Sequence, residues 1–181
     1  IKNWSKLVQV DAGTVHALGL KADGKVVAAG VKDERTQVSG WKDVIQVSAV
    51  GDYSLGLTSN GTVLFAGTKY ADGLRKQVTA WRDVVAVMGA ANQVIYGLKA
   101  DGTVLVARSG ADIAIDFEQL KNVVAISGRK NVSNLLALSA DGTLISLNNY
   151  KKGEIFEHHA LNNNGFVYVA SVPANLSNGY I

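Results

Sequence analysis

Three histidines, His16, His158 and His159, are the side chains of this sequence best suited to acid–base or metal chemistry. The chain has no cysteine, which excludes disulfides, thiolate ligands and cysteine nucleophiles. It also has no HExxH, P-loop or GxSxG motif. His158 and His159 are adjacent, so in a strand they would point to opposite sides. We therefore expect no catalytic residue, no cofactor and no metal site.

A second candidate group consists of acidic or amide residues that are each followed by glycine. These pairs are Asp23-Gly24, Asn60-Gly61, Asp101-Gly102 and Asp141-Gly142, at spacings of 37, 41 and 40 residues. Aligned carboxylates can bind calcium. However, an Asp-Gly or Asn-Gly link between apolar segments is typical of a type I′ hairpin, in which both residues have positive φ. We interpret all eight residues as structural turns.

A second set of residues recurs along the chain with the same period as these turns. Trp4, Trp41, Trp81 and Leu120 precede them, at spacings of 37, 40 and 39 residues. Two markers that share one period indicate an internal repeat. We predict a single domain of residues 1–181, with repeats at about 4–40, 41–80, 81–119 and 120–153 and a degenerate segment at 154–181. The tryptophans are expected to pack between repeats.

Each repeat contains short segments rich in Val, Ile and Leu, whose length and composition predict β-strands. In the first repeat they are 7–10, 17–20, 25–29 and 37–40, and the fourth segment recurs at 77–80 and 116–119. Four antiparallel strands per repeat are the pattern of a β-propeller blade. We therefore predict an all-β fold, a β-propeller with four recognisable four-stranded blades. A β-sandwich would not explain why the same segments recur in register.

The repeat resembles that of the regulator of chromosome condensation family. The residues that carry the resemblance run from His16 to Gly30 and from Tyr53 to Gly67. Short repeats with Trp-x-Asp-Val are closer to bacterial members, such as β-lactamase inhibitory protein II. Later repeats depart from the pattern, since Arg108 and Asn148 replace the closing glycine. The resemblance implies a propeller, usually of seven blades, with roles from nucleotide exchange on a small GTPase to enzyme inhibition.

The charge of the chain is slightly basic, with 18 Lys and Arg against 15 Asp and Glu. Because the basic residues are scattered, we expect no nucleic-acid partner. No apolar run reaches the roughly 18 residues of a transmembrane helix, and we expect no membrane insertion. A chain without cysteine suits the cytosol and a bacterial surface alike. Of the two, we favour the bacterial cell surface or exterior.

The number of repeats is low for a propeller of this family. Because the sequence begins with Ile1, we expect a piece of a longer protein and a fragment of a larger propeller. A small closed propeller and an open arc are the alternatives. An open arc would expose two apolar blade faces and would promote self-association.

The two faces of the predicted propeller differ in their variability. The Asp-Gly hairpins are nearly uniform, whereas the opposite loops, such as 31–36 and 68–76, differ in length and charge. Variable loops on a rigid scaffold carry recognition, so we predict a non-enzymatic protein–protein interaction module. The predicted contact residues are His16, Tyr53, Tyr70, Arg75, Arg108, Lys130 and Lys151. The alternative is a structural repeat of a bacterial cell-surface or secreted protein that binds glycan.

Overall fold

The computed structural model describes residues 4–68, 71–90, 93–109, 120, 122–128 and 135–147. Within these residues the strands form four antiparallel sheets of three strands each, which we call blades 1 to 4 in chain order. Their bounds are β1 Leu7–Ala12, β2 His16–Lys21, β3 Val26–Gly30, β4 Val44–Ala49, β5 Tyr53–Thr58, β6 Val63–Gly67, β7 Val84–Ala90, β8 Val94–Lys99, β9 Val104–Arg108, β10 Val123–Gly128, β11 Leu135–Ser139 and β12 Leu144–Leu147. The predicted all-β fold is confirmed.

Each blade is a meander in which the middle strand pairs with both of its neighbours. The register shifts at one equivalent place in every blade, between Leu7 and Gln9 in β1 and between Val44 and Gln46 in β4, for example. A repeated bulge gives each first strand the same local bend. The strands agree with the first three predicted segments of every repeat to within about three residues, because short segments rich in Val, Leu and Ile form them.

The hairpin turns differ in type from the prediction. Gly24 has a φ of 76°, but Asp23 does not share the positive φ that a type I′ turn requires. Lys21 accepts a hydrogen bond from the Gly24 N–H at 3.0 Å and donates its own N–H to the Lys25 carbonyl at 2.9 Å. This is a type I turn followed by a left-handed glycine. The Asp23 Oδ1 accepts the Lys25 N–H at 3.2 Å, a side-chain bond typical of Asp in turns.

Successive blades pack against each other through three apolar clusters. Their buried residues include Leu18, Val26 and Val47 between blades 1 and 2, Leu57, Phe65 and Val87 between blades 2 and 3, and Leu98, Leu120 and Ile126 between blades 3 and 4. Trp41 and Trp81 are half-buried against the first and second of these clusters. A Cβ on Gly56 would lie 2.8 Å from the Trp41 ring, so the ring rests directly on the backbone. The prediction that tryptophans pack between repeats is confirmed for these two.

Backbone contacts join each hairpin to the next blade. Asp83 has a φ of 59°, which turns the neighbouring Val84 N–H toward the Gly61 carbonyl at 3.1 Å. The Asp83 carbonyl accepts the Ala100 N–H from the hairpin of its own blade at 3.3 Å. A Cβ on Gly61 would lie 3.1 Å from the Asp83 Cα, so glycine permits this close approach. The same contacts recur one blade earlier at Gly24, Asp43, Val44 and Ser59.

The predicted fourth strand is not formed in blades 1 and 2, which is a correction to the prediction of four-stranded blades. Residues 37–40 follow a 3-10 turn at Glu34–Thr36, and residues 77–80 overlap helix α1, Asp72–Val78. Each segment carries one buried anchor, Val38 or Val78, rather than the alternation that a strand needs. In α1 the buried residues Leu74 and Val78 lie one helical turn apart. Segment 116–119 lies outside the described residues.

Candidate functional site

The face opposite the hairpins, which we call the loop face, holds the connections that vary between repeats. Its described parts in blades 1 and 2 are residues 13–15, 31–36, 50–52, 68 and 71–78. Among the side chains with exposed surface there are Val15, Val31, Lys32, Glu34, Asp72, Arg75 and Lys76. This face therefore offers apolar, basic and acidic groups together.

The connection after β3 is held by an ion pair between Asp33 and Arg35. Asp33 begins the 3-10 turn, where its Oδ1 accepts the Arg35 backbone N–H at 3.0 Å. Arg35 Nη1 donates to the Gly51 carbonyl of blade 2 at 2.7 Å. The Arg35 guanidinium also holds the pKa of the Asp33 carboxyl below its usual value. The pair fixes this loop, and Lys32 and Glu34 project from it.

Helix α1 takes the equivalent place after β6. The Arg75 guanidinium stacks over the Phe65 ring, 5.2 Å from its centroid, and donates to the Gly67 carbonyl at 3.1 Å. Its Nε lies 3.3 Å from Asp72 Oδ1, and the Arg75 side chain is still 44% exposed. The predicted contact Arg75 thus anchors the helix to its blade and keeps an accessible edge. Lys76, the next residue, is exposed.

Helix α1 is also joined to blade 3. Gln77 Nε2 donates to the Arg108 carbonyl at 2.9 Å, and the Arg108 N–H donates to Gln77 Oε1 at 3.3 Å. Arg108 itself is half-buried at the end of β9. Its backbone bridges two blades, and the role of its side chain as a contact stays a prediction.

The predicted contact His16 lies in the core rather than on the loop face. Only 4% of the His16 surface is exposed. His16 Nε2 lies 2.8 Å from Ser54 Oγ, which donates its own proton to the Arg35 carbonyl at 2.7 Å. The ring nitrogen is therefore the donor in the first bond. Burial between two blades removes His16 from a partner's reach, and the residue bridges blade 1 to blade 2 instead.

Tyr53 is buried for the same reason, since it starts the middle strand of blade 2 as His16 starts that of blade 1. It is 1% exposed. The hydroxyl donates to the carbonyls of Ala90 and Val94 in blade 3 at 3.2 and 2.9 Å. Its ring stacks on Phe65 with centroids 5.5 Å apart, and burial raises the pKa of the hydroxyl. Tyr53 therefore bridges blades and does not form part of an accessible contact surface.

Other residues singled out from the sequence lie outside the described part of the chain. They are Tyr70, Lys130 and Lys151 among the predicted contacts, and His158 and His159 among the histidines. Their roles stay predictions.

The turn carboxylates use their oxygens within their own hairpins. Asp101 Oδ1 accepts the Thr103 N–H at 2.9 Å, and this bond holds the pKa of the carboxyl below its ordinary value of 3.8. Asp141 makes the same contact with Thr143, which likewise lowers its pKa. This geometry supports their interpretation as turn residues.

The described residues contain no group of three or more His, Cys, Asp or Glu placed to hold a metal ion. None of the helices among these residues could span a membrane.

Sequence reasoning missed the two valines of the loop face. Val15 and Val31 are 41% and 45% exposed. The Val31 N–H donates to the Val15 carbonyl at 3.1 Å, so the loops that carry them lie side by side. The sequence does contain a signal for them, since each valine is an apolar residue in an otherwise polar loop.

No protein-family model and no curated protein matches the sequence. Solved structures with a similar fold include human WBSCR16, with a TM-score of 0.60 and 20% identity over 81% of this chain and 48% of that one. Prp20p of Saccharomyces cerevisiae has a TM-score of 0.57 and 21% identity over 81% of this chain and 45% of its own. The ectodomain of the Arabidopsis thaliana receptor kinase ACR4 has a TM-score of 0.62 and 15% identity, over 80% of this chain and 51% of its own.

These neighbours bear on the fold of the chain. The chain spans about half the length of the structures it matches. Prp20 is the yeast RCC1, so the neighbours include a member of the family that the repeat resembles. They come from human, yeast and plant, and bacterial-type repeats stay a prediction. The described residues of this chain therefore form four successive blades of an RCC1-like β-propeller fold.

Proposed function

We propose that this chain is a non-enzymatic module that binds a partner protein through the loop face. The observation that carries the proposal is the contrast between the two faces. The hairpin face repeats one backbone geometry in successive blades, with a left-handed glycine in every hairpin. After the third strand, the loop face instead carries a 3-10 turn in blade 1 and a helix in blade 2. Loops that differ on a constant scaffold are the usual place of recognition.

The described loops are held in place before any partner arrives. The Asp33–Arg35 pair fixes one of them, and the stack of Arg75 on Phe65 fixes the other. A preformed surface loses less conformational entropy on binding. The exposed valines Val15 and Val31 supply apolar surface, and charged side chains of the same face, such as Lys32 and Glu34, supply polar groups, and protein interfaces combine both kinds.

The structural neighbours support the same class of function. The structure of Prp20p was described together with its binding to Gsp1p and histones, and yeast RCC1 was solved with Kap60 bound. These partners belong to those proteins. They support protein binding as the activity of this fold and leave the partner of this chain to experiment.

The proposal can be tested by affinity capture from cells of the source organism, with the immobilised chain as bait and quantitative mass spectrometry as readout. The double variant Lys32→Glu with Lys76→Glu reverses two exposed charges on the loop face. Lys42→Glu is the matched control, because Lys42 is also exposed but lies beside Asp43 on the hairpin face.

We expect at least one captured protein to be retained by the wild type and by Lys42→Glu. The same protein should fall by about tenfold with the double variant, since opposed charges at an interface disfavour association. Proteins captured equally by all three baits would show that the loop face is not the binding surface.

A further inference from the structure

The first strands of blades 1 and 2 reach the next blade with an amide side chain. Gln9 Nε2 donates to the Val47 carbonyl at 3.1 Å, and Gln9 Oε1 accepts the Val47 N–H at 2.9 Å. Gln46 takes the equivalent place in blade 2, and its Oε1 accepts the Val87 N–H at 2.9 Å. Each glutamine therefore binds the outer edge of the first strand in the following sheet.

A second polar side chain makes the same kind of contact two residues further along each strand. Asp11 Oδ2 accepts the Ala49 N–H of blade 2 at 2.8 Å. Ser48 takes the place of Asp11 in blade 2, and its Oγ accepts the Gly89 N–H of blade 3 at 3.2 Å. Two adjacent interfaces are thus fixed by the same pair of side-chain bridges.

Blade 3 carries apolar residues at the equivalent positions. Ala86 stands where the glutamines stand, and Met88 stands where the aspartate and the serine stand. Val94 also replaces His16 and Tyr53, the buried bridges at the loop end of blades 1 and 2. Alanine and valine side chains form no hydrogen bonds, and the methionine sulfur is only a weak acceptor. At these positions blade 3 therefore lacks the groups that fix the two earlier interfaces.

The hairpin end of the interface between blades 3 and 4 differs in the same direction. A Cβ on Gly102 would lie 3.1 Å from the Val123 nitrogen, the same distance as between Gly61 and the Val84 nitrogen. The Val84 N–H donates to the Gly61 carbonyl at 3.1 Å, whereas no hydrogen bond joins Val123 to Gly102, two residues that the structure describes. The close approach is kept and the directional contact is not.

Apolar packing joins blades 3 and 4, through a cluster that includes Leu98, Val123 and Ile126. The hydrophobic effect has no preferred direction, whereas a hydrogen bond weakens steeply when its angle departs from the optimum. Packed elements can therefore slide or tilt against each other without losing their apolar contact, as in shear motions between domains.

We propose that the interface of blades 3 and 4 is a hinge of this propeller. Blades 1 to 3 form one rigid body, and blade 4 tilts against it. The tilt shifts the loop end of blade 4 relative to the loop face of blades 1 and 2 and so adjusts the surface that a partner meets. The hinge is independent of the proposed function, because its test involves no partner.

Residual dipolar couplings of the backbone amides test the hinge in the full chain, weakly aligned in a gel. The couplings of each blade give its own degree of alignment, and a blade that moves as a unit on a timescale up to milliseconds shows a reduced value. We expect blades 1 to 3 to share one degree of alignment and blade 4 to have a lower one.

Exchanging the bridging residues between blades should move or remove the hinge. Ala86→Gln with Met88→Ser gives blade 3 the side chains that blade 2 uses, so blade 4 should regain the alignment of the other blades. Gln46→Ala with Ser48→Met makes the opposite change and should separate the alignment of blade 3 from that of blades 1 and 2. Ala125→Gln is the matched control, since a glutamine at this place reaches toward the blade after its own and should leave the alignment of blade 4 unchanged.

Two results would overturn the proposal. The first is one degree of alignment shared by all four blades of the wild type. The second is a low alignment of blade 4 that persists with Ala86→Gln and Met88→Ser, because the missing polar side chains would then not be its cause. Circular dichroism verifies the folding of each variant. If that variant does not fold, Gln46→Ala with Ser48→Met decides, and an unchanged common alignment of blades 1 to 3 would overturn the proposal.

Discussion

The hairpin face and the loop face join the same blades by different kinds of contact. On the hairpin face the contact is made by backbone atoms, such as the Gly61 carbonyl and the Val84 N–H. At the loop end of the blades it is made by individual buried side chains, such as the Tyr53 hydroxyl on the Val94 carbonyl. A backbone contact can repeat without change, whereas a side-chain contact differs with each residue. Uniformity on one face and diversity on the other therefore have a common physical origin.

Breaking the hairpin face at a glycine is expected to have the largest effect. Gly61→Ala must keep a φ of 78° and place a Cβ 3.1 Å from the Asp83 backbone. Left-handed strain costs about 1–3 kcal/mol, and crowding of the next blade adds to it. We expect the free energy of unfolding to fall by at least about 2 kcal/mol, measured by urea denaturation with tryptophan fluorescence.

Gly142→Ala is the matched control for that change. Gly142 has a φ of 88°, but among the described residues no atom beyond its chain neighbours lies within 4 Å of the point that a Cβ would occupy. It should lose only the strain contribution and therefore less stability than Gly61→Ala. Equal losses at the two glycines would mean that the contact with the next blade contributes nothing at Gly61.

Removing one buried side-chain bridge between blades is expected to have a smaller effect. Tyr53→Phe deletes the hydroxyl that reaches the carbonyls of Ala90 and Val94 and leaves the stacked ring in place. The buried carbonyls lose a donor, and we expect a loss of about 1–2 kcal/mol in the free energy of unfolding. Urea denaturation measures it. A loss below about 0.3 kcal/mol would show that blades 2 and 3 do not depend on this bridge.

Changing the exposed groups of the loop face should leave stability almost untouched. Lys32 and Lys76 are both exposed, and we expect the double change to Glu to alter the free energy of unfolding by no more than about 0.5 kcal/mol. Differential scanning calorimetry checks this. A larger loss in the free energy of unfolding would mean that these lysines stabilise the fold. The exposed side chains would then not differ from the buried bridges in this respect.

The smallest effect is expected from a charge on the hairpin face. Folding lowers the pKa of Asp101 from 3.8, so its stabilising contribution is complete above that value and is lost as the pH falls through the lower pKa of the folded state. Asp101→Asn keeps the turn, as Asn60 does in blade 2, but cannot titrate. The melting temperature of the wild type should therefore fall more steeply below about pH 4 than that of the variant. If the melting temperatures of the two proteins had the same slope against pH, this would contradict the lowered pKa of Asp101.

Much of the fold follows from local pattern in the sequence. Each blade consists of three apolar segments, the last two of which flank an Asp-Gly or Asn-Gly pair, and the period of these pairs predicts the blades. The turn type was wrong because the dipeptide alone does not separate a type I′ turn from a type I turn with a left-handed glycine. In the structure the type I turn is accompanied by a bond from the Lys25 N–H to the Asp23 side chain.

The candidate site was harder to predict because burial there depends on the neighbouring blade. His16 and Tyr53 stand at the border between loop and strand, where the sequence alone does not distinguish an exposed residue from a bridging one. Helix α1 was not predicted, because its seven residues contain only one buried pair, Leu74 and Val78. That pair also fits the end of a strand, and the packing of the helix on blade 2 decides the outcome.

The left-handed residue before each first strand has a consequence for how such a chain can grow. Asp43 and Asp83 present the next N–H to the preceding glycine carbonyl whatever side chains surround them. A duplicated repeat would bring its own donor and its own acceptor, so a copy inserted between two blades would restore every backbone contact that it interrupts. Gene duplication can then lengthen the array first, and the loops of the new copy are free to diverge afterwards.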